Sequence, residues 1–186
     1  MIKIIGGDFK KTNLEVLANS VRPTSGIKRG AIFSILESYA YKNSINLYNN
    51  MAVLDLYAGS GAIGLEAISR GMTKGYFVEI NNEVINILRK NCLKICKKNQ
   101  FEIINDELEG VFEYNFNFPI SLIFIDPPYK KVDINKILVK IVTSKIKRKN
   151  TIIVIETFKQ NNLTIPTNLK IIKKKYYGKT AMIFLN

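Results

Sequence analysis

From about residue 51 the chain alternates short apolar runs with segments of helical periodicity, and no other feature constrains its fold as strongly. Ala52–Tyr57, Gly75–Ile80, Phe101–Ile104, Ser121–Ile125 and Thr151–Glu156 read as strands. Gly61–Arg70, Glu83–Ile95 and Ile134–Ile146 read as helices, with a short helical stretch near Glu107–Phe112. Strand and helix in regular succession predict an α/β fold: a mostly parallel sheet with helices on both faces. Gly71 stands where a helix C-terminus favours glycine. Leu169–Lys175 and Ala181–Leu185 flank Gly178 and predict an antiparallel C-terminal hairpin, which brings the sheet to seven strands. The first fifty residues follow another pattern. Lys3–Ile5 and Leu14–Leu17 suggest a hairpin across Gly6-Gly7-Asp8. Ser25–Tyr41 carries apolar residues at helical spacing, with Thr24 or Ser25 as N-cap. The expectation is one domain over 1–186, in which a small hairpin-plus-helix extension, 1–50, precedes a core, 51–186.

Composition removes several function classes. There is no histidine, so imidazole general-base chemistry and the usual zinc sites are excluded, and no metal is expected. Cys92 and Cys96 lie four apart on a helical pattern and read as buried thiols. No apolar run approaches the roughly 18 residues needed to span a bilayer. Asp8, Lys10 and Lys11 interrupt any leader-like start. A soluble cytoplasmic monomer is the expectation. The net charge is +13, unevenly spread. Residues 51–129 carry seven Lys/Arg against ten Asp/Glu, whereas residues 130–186 carry fourteen against two. Compositional bias towards lysine would not spare the middle. Basic flanks around an acidic centre point to a polyanionic partner, nucleic acid.

Gly59-Ser60-Gly61-Ala62-Ile63-Gly64 matches G-x-G-x-x-G between a strand and a helix, and Glu79 follows Gly59 by 20 residues. As written, that is the dinucleotide fingerprint of a Rossmann fold, so an NAD oxidoreductase must be weighed. Asp55 tips the balance. It ends the first strand, where a carboxylate would repel a pyrophosphate. S-adenosylmethionine carries no phosphate; it carries an ammonium and a sulfonium. Asp55 suits the ammonium, Glu79 the ribose hydroxyls, and Asp106, after the third strand, the adenine edge. Single acids at strand ends are usually just solvated. Three at three successive strand ends make a site. Gly59, Ser60, Gly61, Gly64 and Ile80 complete the expected cofactor lining.

Asp126-Pro127-Pro128-Tyr129 follows the buried run Leu122–Ile125 directly, and ligands of open α/β sheets bind beyond the carboxyl ends of strands. Ionised Asp126 only accepts hydrogen bonds and can take one from an exocyclic amino group. The Pro127 carbonyl can take the second, since consecutive prolines fix φ and offer no competing N–H. Tyr129 offers a flat face for a base. Two acceptors on its hydrogens would aim a delocalised amino lone pair at a methyl group. The bland alternative is a strand-to-loop turn, which the upstream glycine loop makes the weaker reading.

At these residues the chain resembles Rossmann-like methyltransferases acting on exocyclic amino groups of bases. The match extends over Ile4-Ile5-Gly6-Gly7, Val21-Arg22-Pro23-Thr24, Phe33-Ser34-Ile35-Leu36, Asp55–Arg70, Val78-Glu79, Asn91, Asp126–Tyr129 and Tyr177-Gly178-Lys179-Thr180. With these elements in this order, the chain is similar to the bacterial 16S ribosomal RNA guanine-N2 methyltransferases of the RsmD type. The resemblance implies methylation of one guanine amino group in an assembled or assembling small subunit. It implies cofactor contacts at Asp55, Gly59, Gly61, Glu79 and Asp106, and catalysis at Asp126 and Tyr129. It also implies an RNA grip by Lys10, Lys11, Arg22, Thr24, Lys28 and Arg29. The family's usual Asp-Arg and Glu after Arg-Pro-Thr are replaced here, where the positions read Gly26, Ile27 and Gly30 with Arg29 kept. Two further readings are an adenine-N6 nucleic-acid methyltransferase and a non-catalytic ribosome-assembly module. Against the first stands the missing target-recognition domain, and against the second the intact Asp55, Glu79 and Asp126.

Overall fold

A computed structural model of the chain describes residues 2–17, 25–128 and 132–186. A two-stranded ladder, β1 (Ile2–Lys3) and β2 (Asn13–Leu14), precedes helix α1 (Gly26–Lys42). Then β3 (Ala52–Asp55), α2 (Ala62–Ser69), β4 (Lys74–Val78), α3 (Asn82–Ile95) and β5 (Phe101–Ile104) follow one another. The short α4 (Leu108–Val111), β6 (Ile120–Ile125), α5 (Ile134–Thr143), β7 (Ile152–Phe158), β8 (Ile171–Tyr177) and β9 (Thr180–Leu185) complete the order. The seven-stranded sheet runs β5-β4-β3-β6-β7-β9-β8. Its first five strands are parallel, and β9 is antiparallel to both β7 and β8.

The strand residues alternate between two cores, as the period of two along a strand requires. Leu122 and Phe124 of β6 face α1 and α2, packing with Phe33, Leu36 and Ala67. Ile123 and Ile125 face the other way, onto Ile137, Leu138 and Ile141 of α5. A third cluster joins α2 and α3 to the hairpin through Leu65, Leu88, Cys92, Ile4 and Leu14. Both faces are covered, which is why the strands read as continuous apolar runs. Cys92 and Cys96 are free thiols in this packing. Among the described residues no helix is long and apolar enough to cross a membrane.

The N-terminal hairpin departs from expectation. Its strands have two residues each, and the connection runs through Ile4–Thr12 rather than a tight turn at Gly6-Gly7-Asp8. The cause is competition for backbone groups. The Ile5 N–H donates to the Glu66 carboxylate at 2.8 Å, and the Asp8 and Phe9 N–H groups donate to the Ser69 carbonyl and hydroxyl. A Cβ at Gly7 would stand 1.7 Å from the Ser69 carbonyl oxygen, so only glycine lets the loop lie on the end of α2. The second strand stops at Leu14 because Glu15 pairs with the Asn91 side chain. At the other end, α5 closes at Thr143, where the Ser144 hydroxyl donates to the Ile141 carbonyl and accepts from the Ile146 N–H. β7 continues to Phe158 because Thr180 of β9 pairs with it there.

Ser25 caps α1, accepting from the Lys28 N–H at 3.3 Å. Gly26 and Gly30 face Ile5, and a Cβ at Gly30 would meet Ile5 Cδ1 at 3.5 Å, an ordinary van der Waals contact. Gly30→Ala should therefore stabilise the fold by about 1 kcal/mol through helix propensity. Thermal unfolding should show a rise of roughly 2–4 °C; a fall would mean that the helix and hairpin need the closer approach.

Candidate active site

The carboxyl ends of the parallel strands open into a cavity of about 1420 Å³. That exceeds the ~300–1,000 Å³ of an ordinary small-molecule pocket and leaves room for two reactants. Its floor holds Asp55, the loop Tyr57–Ser60, and Asp126 with Pro127; its sides hold Glu79, Ile80, Asp106, Phe112, Lys28, Glu156 and Tyr177.

Asp55 is 3% exposed, and its carboxylate accepts from the Gly64 N–H at 3.3 Å. Burial pushes its pKa from the ordinary 3.8 up to about 7, opposed by the Gly64 hydrogen bond and assisted by the nearby charges of Asp126 and Glu79. The first turn of α2 is thus tied to the end of β3 by the acid itself. Gly61 takes φ 78°, where a Cβ would lie 2.5 Å from Leu88 Cδ1. A Cβ at Gly64 would lie 2.4 Å from the Phe77 ring, so glycine permits the close packing of α2 on β4. At Gly59, with φ 52°, a Cβ would meet nothing within 4 Å; the loop shows bare backbone to the cavity.

Glu79 organises the same loop. One carboxylate oxygen accepts from the Gly59 N–H at 3.1 Å, the other from the Ile80 and Asn81 N–H groups at 3.0 Å each. A carboxylate has about four acceptor sites, so capacity for a ligand hydroxyl is left. Ile80 is 67% exposed, an apolar face offered to the cavity. Asp106 is also exposed, and one of its oxygens accepts from the Glu107 N–H at 2.7 Å. These donors and acceptors fit S-adenosylmethionine. A buried acid with raised pKa favours a cationic group, the bare glycine loop admits close approach, and acids on three sides disfavour any phosphate. Among the described residues no cluster of three or more metal-ligating side chains occurs.

The family model described as conserved hypothetical protein 95 matches residues 2–186. The ribosomal RNA small subunit methyltransferase D of Buchnera aphidicola subsp. Acyrthosiphon pisum is 33% identical over 176 residues, covering 94% of this chain and 87% of that protein. This chain belongs to their family. A solved Haemophilus influenzae structure, provisionally described as a methylase, is 27% identical with a TM-score of 0.79, covering 99% of this chain and 97% of that one. A provisionally described methyltransferase from Escherichia coli, 23% identical with a TM-score of 0.82 over 99% of this chain and 96% of that one, shares the fold.

Within this methyltransferase D framework, Asp55, Gly59, Ser60, Glu79, Ile80, Asp106, Asp126 and Pro127 all line one cavity. Gly61 and Gly64 shape it from behind. Tyr129, Arg22 and Thr24 lie outside the described residues. The basic set expected to grip RNA is dispersed. Arg29 is corrected: it is 1% exposed, and its guanidinium donates to the Lys3 carbonyl at 2.5 Å, which fastens α1 to β1. Lys28 lines the cavity, but its ammonium is held by Glu156 at 2.7 Å and the Thr180 hydroxyl at 3.0 Å. Lys10 and Lys11 are exposed at the C-terminal end of α2, about 12 Å of helix away from the glycine loop.

Sequence reasoning assigned no structural role to three residues, although Asn91 and Glu66 fall within the segments that carry the resemblance. Glu66, fully buried, holds Ile5 and Arg70. Glu156, at the end of β7, pairs with Lys28 across 128 residues of sequence. Asn91 is 0% exposed; its oxygen accepts from the Glu15 N–H, and its amide donates to the Glu15 and Ser60 carbonyls at 2.9 Å each. Asn91 therefore ties the segment carrying Val16 and Leu17, which line the cavity, to the glycine loop. No local pattern announces any of the three, because every partner is distant in sequence.

Two predictions follow from this geometry. Protonated Asp55 is favoured in the folded chain between pH 3.8 and about 7, so its contribution to stability is lost as pH rises through that window. Asp55→Asn should therefore gain on wild type by roughly 2–3 kcal/mol between pH 5 and pH 8 in chemical denaturation. A difference that ignores pH would show that Asp55 does not titrate there. Asn91→Ala leaves three backbone groups unpaired and should cost about 2–4 kcal/mol. Loss within the range of a surface substitution, about 0.5 kcal/mol, would refute the tether.

Proposed function

We propose that the chain transfers a methyl group from S-adenosylmethionine to the exocyclic N2 amino group of a guanine in 16S ribosomal RNA. One juxtaposition carries this reading: Asp126 and Pro127, at the end of β6, line the same cavity as Asp55 and Glu79, at the ends of β3 and β4. The cofactor-type acids and the amine-directed motif thus serve one space. The ribosomal RNA substrate follows the names of the relatives, and the net charge of +13 suits a polyanion.

S-adenosylmethionine, when bound, supplies a methyl group on a positively charged sulfur. Asp55 would accept from its ammonium, Glu79 from the ribose hydroxyls and Asp106 from the adenine amino group, with Ile80 against the adenine face. The glycine loop, Gly59 to Gly64, would let the backbone approach the methionine part. On the other side, Asp126 would accept one N2 hydrogen of guanine and the Pro127 carbonyl the second. Tyr129, next in the motif, would stack on the base. Held this way, the nitrogen lone pair points along the line of transfer. Transfer would form a nitrogen–carbon bond as the cofactor's carbon–sulfur bond breaks, and Asp126 or solvent would take the proton that the nitrogen sheds. A carboxylate is too weak a base to deprotonate an aromatic amine beforehand, so Asp126 would take a proton only once the new bond is forming. Positioning two bound reactants can contribute up to roughly 7–11 kcal/mol of the acceleration.

Cofactor binding and chemistry should separate on substitution. Asp126→Ala should keep S-adenosylhomocysteine affinity within a few-fold and lower kcat by at least ~100-fold; full activity would sink the mechanism. With labelled cofactor and undermodified small subunits, nucleoside analysis should return N2-methylguanine. N6-methyladenine would move the reading to an adenine methyltransferase, and no transfer to a non-catalytic assembly role.

A further inference from the structure

The cavity mouth is electrostatically lopsided. On the side of β4 and β5 stand Asp106 and Glu107 in the lining, with Glu109 paired to Lys140; Glu83, in the first turn of α3, and Glu113, just after α4, are also exposed. Among the described residues four lysines elsewhere are held by carboxylates: Lys28 by Glu156, Lys74 by Glu102, Lys94 by Glu15 and Lys140 by Glu109. On the other side the sheet ends in β8, an edge strand bearing Lys173, Lys174 and Lys175 in succession, all exposed. Among the described residues none of these three is in an ion pair. Lys170 and Lys179 extend the exposed basic line at its two ends. Tyr176, 57% exposed, lies beside them with the Lys159 ammonium 5.5 Å from its ring centre.

The line has a direction. Lys173 and Lys175 stand opposite Phe184 and Met182 of β9, and so share the α1 face of the sheet; Lys174, opposite Ile183, is on the α5 face. Two lysines on one face are about 6.5–7 Å apart along the strand. The strand then ends at Tyr177, which lines the cavity with Gly178. A backbone of phosphates lying along β8 would be delivered to the cavity mouth, while the acids above β4 and β5, some 29 Å away across six strand spacings, repel it.

We propose that β8 is the docking track for the RNA substrate, with Lys173, Lys174 and Lys175 on its phosphates and Tyr176 available to an unpaired base. The proposal rests on the RNA methyltransferase reading above and adds where the RNA lies. Edge strands often carry lysine simply to block pairing with another sheet. That role would not need the line to continue to the cavity, nor the opposite rim to be acidic.

The test compares K173Q/K174Q/K175Q with K42Q/K97Q/K98Q, which removes the same charge from exposed sites away from β8. Binding of the full chain to small-subunit ribosomal RNA is measured against salt, and S-adenosylhomocysteine binding is measured in parallel. The β8 variant should lose roughly tenfold or more in RNA affinity, and its log–log salt slope should shrink by about 2–3. The control should change little, and cofactor binding should match wild type in both. Equal losses in the two variants, or an unchanged slope, would overturn the track. Aggregation of the β8 variant with unaltered RNA affinity would also overturn it, in favour of edge protection. If wild type neither binds this RNA nor methylates it, the underlying functional reading fails instead.

Discussion

A parallel sheet covered on both faces leaves its strand interiors no room for polar side chains. Burying an unpaired polar group costs about 1–3 kcal/mol, so chemistry is pushed to the strand ends. Here that constraint places Asp55, Glu79 and Asp126 side by side at the carboxyl ends of β3, β4 and β6. The buried residues of the parallel strands are mainly Val, Leu, Ile and Phe, packed against α1 to α3 on one face and α5 on the other. The cavity follows from the fold, and the acids follow from the cavity.

Asp55 shows how site and fold are coupled. Its carboxylate is buried and receives the Gly64 N–H, so the residue that would meet a cationic ligand also fixes the start of α2. Glu79 does the same for the loop, with three backbone N–H groups on its two oxygens. The N-terminal segment is attached by a comparable device. Asn91 and Glu66, both fully buried, bind its backbone to α3 and α2, and Arg29 binds it to α1. These are hydrogen bonds to backbone groups that lack sheet or helix partners, which is why the segment is ordered there despite strands of only two residues.

Much of the architecture was legible because it rests on local periodicity. The five parallel strands, the helices between them and the C-terminal hairpin all lie within a few residues of the reading. The boundaries that moved did so where a side chain intervened, as with Ser144 at the end of α5 and Asn91 beyond β2. That the acids Asp55, Glu79, Asp106 and Asp126 share one cavity was also legible, since acids at the ends of apolar runs mark a sheet's carboxyl edge. The basic residues were not. Arg29, Lys28 and Lys10 carry the same charge in sequence, yet one is buried, one is ion-paired and one sits at the far end of a helix.

The sequence alone therefore determined the α/β order, the glycine loop and the acids that ring it, because strand and helix periods and turn chemistry are short-range. The tertiary structure decided which cations remain exposed and unpaired and where they point. Lys28 meets Glu156 and Arg29 meets Lys3 only through packing of distant segments, whereas Lys173 to Lys175 stay exposed because β8 has no neighbour on its outer side.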